Sequence, residues 1–120
     1  MFRVSVEGDF DAAHALRGYE GKCERLHGHR FRVVASLEAG SLNHIGITYD
    51  FVDFKRHLHA VLSRLDHRNL NELPPFDRIN PSSENIAVFV HDEMNKQMPE
   101  HKLASVEVWE SPESHVLYTP

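Results

Sequence analysis

Two histidines separated by one glycine, His27 and His29, form the most distinctive local pattern in this 120-residue sequence. Residues two apart in a β-strand project from the same face, so both imidazoles would lie within reach of one metal ion. His14 is the natural third ligand, because its strand should pair with that of His27 and would place it at the same end of the hairpin. Three neutral imidazoles suit zinc and leave a coordination position open, as in catalytic sites. The alternative is a scatter of unrelated polar residues, since the chain contains ten histidines.

Three further ionisable residues stand close enough to these histidines, or to each other, to take part in chemistry. Cys23 lies four residues before His27. It could be a fourth ligand, a nearby acid or base, or an inert buried thiol. Asp66 and His67 are adjacent and could form an acid–base pair, although neighbouring residues need not face each other and a surface loop is the alternative.

Glu110 lies on the same face of a predicted strand as Val106 and Val108. A carboxylate in an apolar row needs a partner. A salt bridge would provide one. A ligand with two parallel N–H donors would serve equally well, because such a fork pairs with a carboxylate through two hydrogen bonds.

The elements that must position these residues can be predicted from periodicity. Alternating apolar and polar residues predict a strand from Phe2 toward His14 and a second strand from His27 through Leu37. Near the C-terminus, alternation from Ser105 to Glu110 and a short strand from His115 to Tyr118 predict a hairpin.

Two helices are predicted between the hairpins. Asp50 is placed as an N-cap, and apolar residues then recur at helical spacing at Phe51, Phe54, Leu58, Val61, Leu62 and Leu65. Ser82 can cap a second helix that Pro99 ends. The segment from Asp66 to Pro81 is predicted to be a long ordered loop. The order ββααββ indicates an α+β fold with both helices on one face of a four-stranded antiparallel sheet.

The composition excludes several classes of protein. With 41% hydrophobic and 26% charged residues, the chain is predicted to form a single domain over residues 1–120. A net charge of −5 without a basic stripe argues against nucleic-acid binding. No apolar run is long enough to span a bilayer or to act as a signal peptide, so we expect no membrane association. The single cysteine fits a reducing compartment, and we expect a cytoplasmic protein.

Four segments, taken in order, resemble the 6-pyruvoyltetrahydropterin synthase family. They are FDAAH at 10–14, CERLHGH at 23–29, LDHRNLN at 65–71 and NPSSEN at 80–85, so the resemblance runs along the whole chain. The three residues between the cysteine and His-Gly-His resemble the bacterial 6-carboxytetrahydropterin synthases. The mammalian type of 6-pyruvoyl enzyme usually has a longer gap there.

The resemblance implies roles for the residues singled out above. His14, His27 and His29 would bind zinc. Cys23 would abstract a proton from the side chain of 7,8-dihydroneopterin triphosphate. Asp66 and His67 would form the partner pair that relays protons, and the residues that hold the pterin ring would be Glu110, Ser82, Ser83 and Glu84.

The resemblance also implies an assembly and a reaction. The tunnelling fold joins subunit sheets into a barrel, and two trimers stack as a hexamer with active sites between subunits. The expected activity is a zinc-dependent lyase that forms 6-carboxy-5,6,7,8-tetrahydropterin with release of acetaldehyde and triphosphate, on the route to queuosine and other 7-deazapurines. The alternatives are an enzyme that stops at 6-pyruvoyltetrahydropterin, and a histidine-rich metal-binding protein without turnover.

Overall fold

A long antiparallel hairpin is the frame of the molecule. In the computed structural model, which describes residues 1–120, strand β1 spans Phe2–His14 and strand β2 spans His27–Ala39. Every residue of one strand has a partner in the other, from Phe2 opposite Ala39 to His14 opposite His27. Both predicted strands are confirmed, and the register brings the histidines to one end of the hairpin.

The two predicted helices are present with their predicted caps. Helix α1 spans Phe51–Leu62, and the Asp50 side chain accepts a hydrogen bond from Val52 N. Helix α2 spans Ser83–Gln97 and is capped by Ser82. An N-cap side chain satisfies one of the backbone N–H groups that the first helical turn leaves free. Helix α1 ends at Leu62, before the last residue of the predicted apolar stripe. That residue, Leu65, lies in the turn that follows the helix and is still buried.

The sheet has five strands rather than the predicted four. Strand β3 is the short segment Arg68–Asn69, β4 spans Leu103–Ser111 and β5 spans Ser114–Tyr118, in the order β3-β1-β2-β4-β5. Strand β3 pairs in parallel with β1 at Ala12 and Ala13, and the other pairings are antiparallel. A strand of two residues has no alternation for sequence analysis to detect.

Both helices pack on one face of the sheet, α1 against β1 and α2 against β4 and β5. A single cluster of 22 buried apolar residues fills the space between these layers. The opposite face carries no helix and displays charged residues that include Asp9, Asp11, Arg30 and Arg32. This two-layer arrangement confirms the predicted α+β class. No helix is both long enough and apolar enough to cross a membrane.

Candidate active site

Three histidines and one glutamate meet at the end of the hairpin. His14 ends β1, His27 and His29 begin β2, and Glu110 lies near the end of β4. Alternation along the strands turns all four side chains to the helix-covered face. Their potential ligand atoms lie within 4.8 Å of one another. We call these four residues the histidine cluster.

Main-chain carbonyls fix the orientation of two of the rings. His14 Nδ1 lies 2.7 Å from the carbonyl oxygen of Pro81, and His27 Nδ1 lies 2.6 Å from that of Arg25. A carbonyl can only accept a hydrogen bond, so each Nδ1 carries the proton. Each Nε2 of a neutral ring therefore presents a lone pair, the state in which imidazole binds metals.

Glu110 places a further acceptor against these lone pairs. Its Oε1 lies 3.0 Å from His14 Nε2 and 3.3 Å from His29 Nε2. His14 Nε2 is buried and makes no hydrogen bond despite this short distance. Two acceptors facing each other in a buried position need a cation or a proton between them. The donor set and the unsatisfied nitrogen therefore fit a metal ion such as zinc.

The electrostatics of His29 favour the same state. Burial lowers its pKa, the carboxylate of Glu110 opposes that effect, and the neighbouring His14 and His27 rings add to the lowering. A lowered pKa keeps the imidazole neutral near pH 7 and available as a ligand.

Cys23 lies on a turn beside the histidine cluster without joining it. The turn is a 3-10 helix, Lys22–Glu24, and the Cys23 carbonyl accepts a 2.7 Å hydrogen bond from Leu16 N, two residues after His14. The thiol is partly exposed. The group of potential metal ligands contains Glu110 and does not contain Cys23, so within this chain Cys23 is not placed as a fourth ligand.

Asp66 and His67 do face each other, at the outer edge of β1. Asp66 Oδ2 lies 3.0 Å from His67 Nδ1, and Asp66 Oδ1 accepts a 2.9 Å hydrogen bond from Asp11 N. The Asp11 N–H and then the His67 side chain lower the pKa of Asp66. His67 has a positive φ of 57°, and its own N–H donates to the Asp11 carbonyl. The pair groups with Asp11, apart from the histidine cluster of the same chain.

The Ser82–Glu84 segment meets the cluster through its neighbour Pro81. Ser82 Oγ accepts a hydrogen bond from Asn85 N at 3.1 Å, so this hydroxyl caps α2. Ser83 is half-buried and Glu84 is exposed in the first helical turn. Within one chain the segment is linked to the cluster by the preceding residue, Pro81, whose carbonyl accepts a hydrogen bond from His14.

Three residues outside the predicted site tie this region together: Arg17, Asn71 and Asn80. Both asparagines hydrogen-bond the chain that follows His14, and Arg17 donates to carbonyls of the loop that contains them. Asn71 and Asn80 stand within the LDHRNLN and NPSSEN segments. Their position in those segments could have marked both asparagines as candidate site residues. Their hydrogen bonds to residues 15 and 17 could not be predicted without the fold.

The fold and the cluster together define a class of protein, a small α+β domain with three histidines and a glutamate, residues suited to hold a metal ion, at one end of a long hairpin. The family model described as 6-pyruvoyl tetrahydropterin synthase matches residues 3–120. The chain therefore belongs to the 6-pyruvoyl tetrahydropterin synthase family.

Named relatives cover nearly the whole chain. A dihydroneopterin monophosphate aldolase of Pyrococcus furiosus is 37% identical over 112 residues, 92% of this chain and 91% of that protein. A 6-carboxy-5,6,7,8-tetrahydropterin synthase of Synechocystis is 36% identical over 98% of this chain and 93% of that protein. The structure of 6-pyruvoyl tetrahydropterin synthase of Caenorhabditis elegans superposes with a TM-score of 0.87 at 28% identity, over 100% of this chain and 97% of that one. The predicted tunnelling fold is confirmed.

Proposed function

We propose that this protein is a zinc-dependent 6-carboxy-5,6,7,8-tetrahydropterin synthase. It would convert 7,8-dihydroneopterin triphosphate to 6-carboxytetrahydropterin, with release of acetaldehyde and triphosphate, and supply the route to queuosine. The observation that carries the proposal is the buried His14 Nε2, which faces Glu110 without a hydrogen bond in a cluster of three histidines. The spacing of Cys23 before His27 and the 36% identical Synechocystis enzyme support the carboxy product.

The residues of this chain divide the chemistry between them. Zinc held by His14, His27 and His29 would supply a Lewis acid for the hydroxyl groups of the substrate side chain. Cys23, on its turn beside the cluster, would take the proton from the side-chain carbon. Asp66 would hold His67 in the orientation needed to carry protons to and from the side chain.

Substrate would be held at the pterin end by Glu110. Its carboxylate can accept two parallel hydrogen bonds from the ring N–H and the 2-amino group. Ser82, Ser83 and Glu84 lie at the N-terminus of α2 and would hold the ring from that side. The Ser82 hydroxyl would do so while also capping the helix.

We further propose that a neighbouring subunit completes the site. The histidine cluster and the Asp66–His67 pair form separate groups in one chain. The edge of β1 that faces away from β2 is paired only at Ala12 and Ala13, by β3, and the outer edge of β5 has no strand partner. Such edges suit strand pairing between subunits. A hexamer of two stacked trimers would bring the two groups together.

The experiment that tests the activity is product analysis. Zinc-loaded protein is incubated with 7,8-dihydroneopterin triphosphate, products are identified by mass spectrometry, and acetaldehyde is assayed separately. We expect 6-carboxytetrahydropterin with an equal amount of acetaldehyde. A pyruvoyl product without acetaldehyde would instead assign the protein as a 6-pyruvoyltetrahydropterin synthase. No consumption of substrate by protein of verified zinc content would favour metal binding without turnover.

A second candidate is supported by the 37% identical aldolase, which is named for dihydroneopterin monophosphate. Breaking the bond between the first two carbons of the neopterin side chain would need a base to take the proton of the second carbon's hydroxyl and an acid to protonate the first carbon. It would leave a 6-hydroxymethyl pterin and release a phosphorylated two-carbon aldehyde. Parallel incubation with 7,8-dihydroneopterin monophosphate distinguishes the two candidates. Faster turnover of the monophosphate to the hydroxymethyl product would replace the first assignment with the second.

A further inference from the structure

After His14 the main chain of residues 15–17 has no strand partner, and asparagine side chains make its hydrogen bonds instead. Ala15 N donates to Asn71 Oδ1 at 2.8 Å, and Asn71 Nδ2 donates back to the Ala15 carbonyl at 2.9 Å. Asn80 pairs with Arg17 in the same way. Arg17 N donates to Asn80 Oδ1, and Asn80 Nδ2 donates to the Arg17 carbonyl, each at 2.9 Å. Both amides belong to the 70–81 loop, so this loop is fastened to the end of β1.

The Arg17 side chain also contacts the 70–81 loop, through its guanidinium group. It donates to the carbonyl oxygens of Phe76 at 2.8 Å, Asn71 at 3.3 Å and Ile79 at 3.4 Å. It makes no salt bridge. Three carbonyls from different parts of the loop therefore accept hydrogen bonds from one planar guanidinium group. The ammonium group of a lysine would reproduce this geometry poorly.

The 70–81 loop ends at Pro81, whose carbonyl oxygen orients the proposed metal ligand His14. Immediately after Asn80, the buried Pro81 carbonyl accepts the 2.7 Å hydrogen bond from His14 Nδ1. The Asn80 carbonyl in turn accepts from Asn85 Nδ2, which ties the same point to α2. The contacts therefore close a ring from His14 through residues 15–17 and the loop back to His14.

We propose that Arg17 is a positioning residue for the metal centre, acting through the 70–81 loop and Pro81 to hold the His14 ring with its Nε2 toward the cluster. This inference rests on the proposed metal site. Partners that orient a metal ligand typically contribute ten- to a hundredfold to metal affinity. We expect loss of the Arg17 fork to weaken metal binding about tenfold, because the loop would no longer fix Pro81.

The test measures metal binding without substrate. Arg17→Gln and Arg17→Lys are compared with wild type by competition with a chromophoric chelator for zinc, and by the absorption spectrum of the cobalt-substituted protein. We expect both variants to bind zinc about tenfold more weakly and to change the cobalt spectrum. Arg78→Gln is the matched control, since Arg78 lies in the same loop, is exposed and makes no side-chain hydrogen bond. Its zinc affinity should equal that of wild type.

Four outcomes would overturn the inference. Wild-type zinc affinity in Arg17→Gln would remove any positioning role, and full affinity in Arg17→Lys would reduce the role to a point charge. If wild type binds no zinc at all, the proposed metal site itself fails. Circular dichroism checks that each variant is folded. Should the Arg17 variants be unfolded, Asn80→Ala tests the same ring of contacts, and its unchanged zinc affinity would equally overturn the proposal.

Discussion

Among single residues, Glu110 has the most ambiguous position. Its Oε1 lies within 3.3 Å of two imidazole nitrogens, close enough to share a metal ion, while the expected role is to hold the pterin ring. The two roles require different properties of the Glu110 carboxylate. A metal ligand must be a strong donor to the ion, whereas a pterin anchor must accept two hydrogen bonds from the ring.

Glu110→Gln separates these roles. Because three histidines suffice for a catalytic zinc, we expect the variant to keep one zinc per chain. Its amide accepts with only one atom, so KM for the pterin substrate should rise by about tenfold or more. Zinc content by elemental analysis and steady-state kinetics measure the two effects. Loss of zinc with unchanged KM would identify Glu110 as a fourth ligand.

Asp66 gives a prediction for acid stability. The Asp11 N–H and His67 lower its pKa below the ordinary value of 3.8. A carboxyl with a lowered folded pKa stabilises the folded state above its unfolded pKa, and this contribution disappears as pH falls through the folded pKa. Wild type should therefore be more stable than Asp66→Asn at pH 6, with a difference that shrinks below about pH 4. Urea denaturation at several pH values measures it, and a difference that grew on acidification would contradict the assignment.

At the scale of elements, the packing of α1 on β1 depends on a missing side chain. A Cβ atom at Gly8 would lie 3.0 Å from Leu62 Cδ1 and 3.2 Å from His59 Cδ2. Gly8→Val should push the helix from the strand and lower the free energy of unfolding by about 1–3 kcal/mol. Gly40→Val is the control, since no atom lies within 4 Å of its Cβ position. Equal free energies of unfolding for the two variants would show that α1 adjusts freely.

The N-terminus of α2 combines a structural and a proposed binding role in Ser82. Ser82→Ala removes the cap and should lower the free energy of unfolding by about 1 kcal/mol. Ser82→Asn restores a capping oxygen without restoring the hydroxyl. We expect Ser82→Asn to recover stability but to keep a raised KM, as measured by denaturation and kinetics together. Full recovery of KM in Ser82→Asn would leave the hydroxyl with no role beyond capping.

The sequence predicted elements that have their own periodicity. The 13-residue strands of the hairpin, the caps Asp50 and Ser82, and the shared face of Val108 and Glu110 all follow from local spacing. Because the register follows from the hairpin, the meeting of His14 with His27 was also predictable.

The parts that sequence analysis missed depend on contacts between distant segments. Strand β3 exists only because residues 68–69 run beside β1. The contacts of Asn71 and Asn80 join residues more than fifty positions apart, and an asparagine in a loop carries no sign of its partner. The side chain of Arg17 resembles any exposed cation in the sequence, and its role is evident only from the three carbonyls around it.

At the scale of the whole molecule, the proposed shared site predicts complementation between inactive variants. Cys23→Ala and His67→Ala should each be nearly inactive alone. If a site takes Cys23 from one subunit and His67 from a neighbour, mixed oligomers contain some sites with both residues. Co-expression should then restore up to about a quarter of wild-type turnover. Sedimentation should give about six times the 13.8 kDa chain mass. No recovery in verified mixed oligomers would place both residues in one subunit's site.

The carbonyls that orient His14 and His27 have a consequence for how the family can diverge. Both orienting atoms belong to the main chain, at Pro81 and Arg25, so no side-chain replacement deletes them. A change of side chain at position 25 would therefore leave the acceptor that orients His27 in place. The proposed metal site would therefore keep its two orienting acceptors through any side-chain replacement at these positions that preserves the path of the backbone.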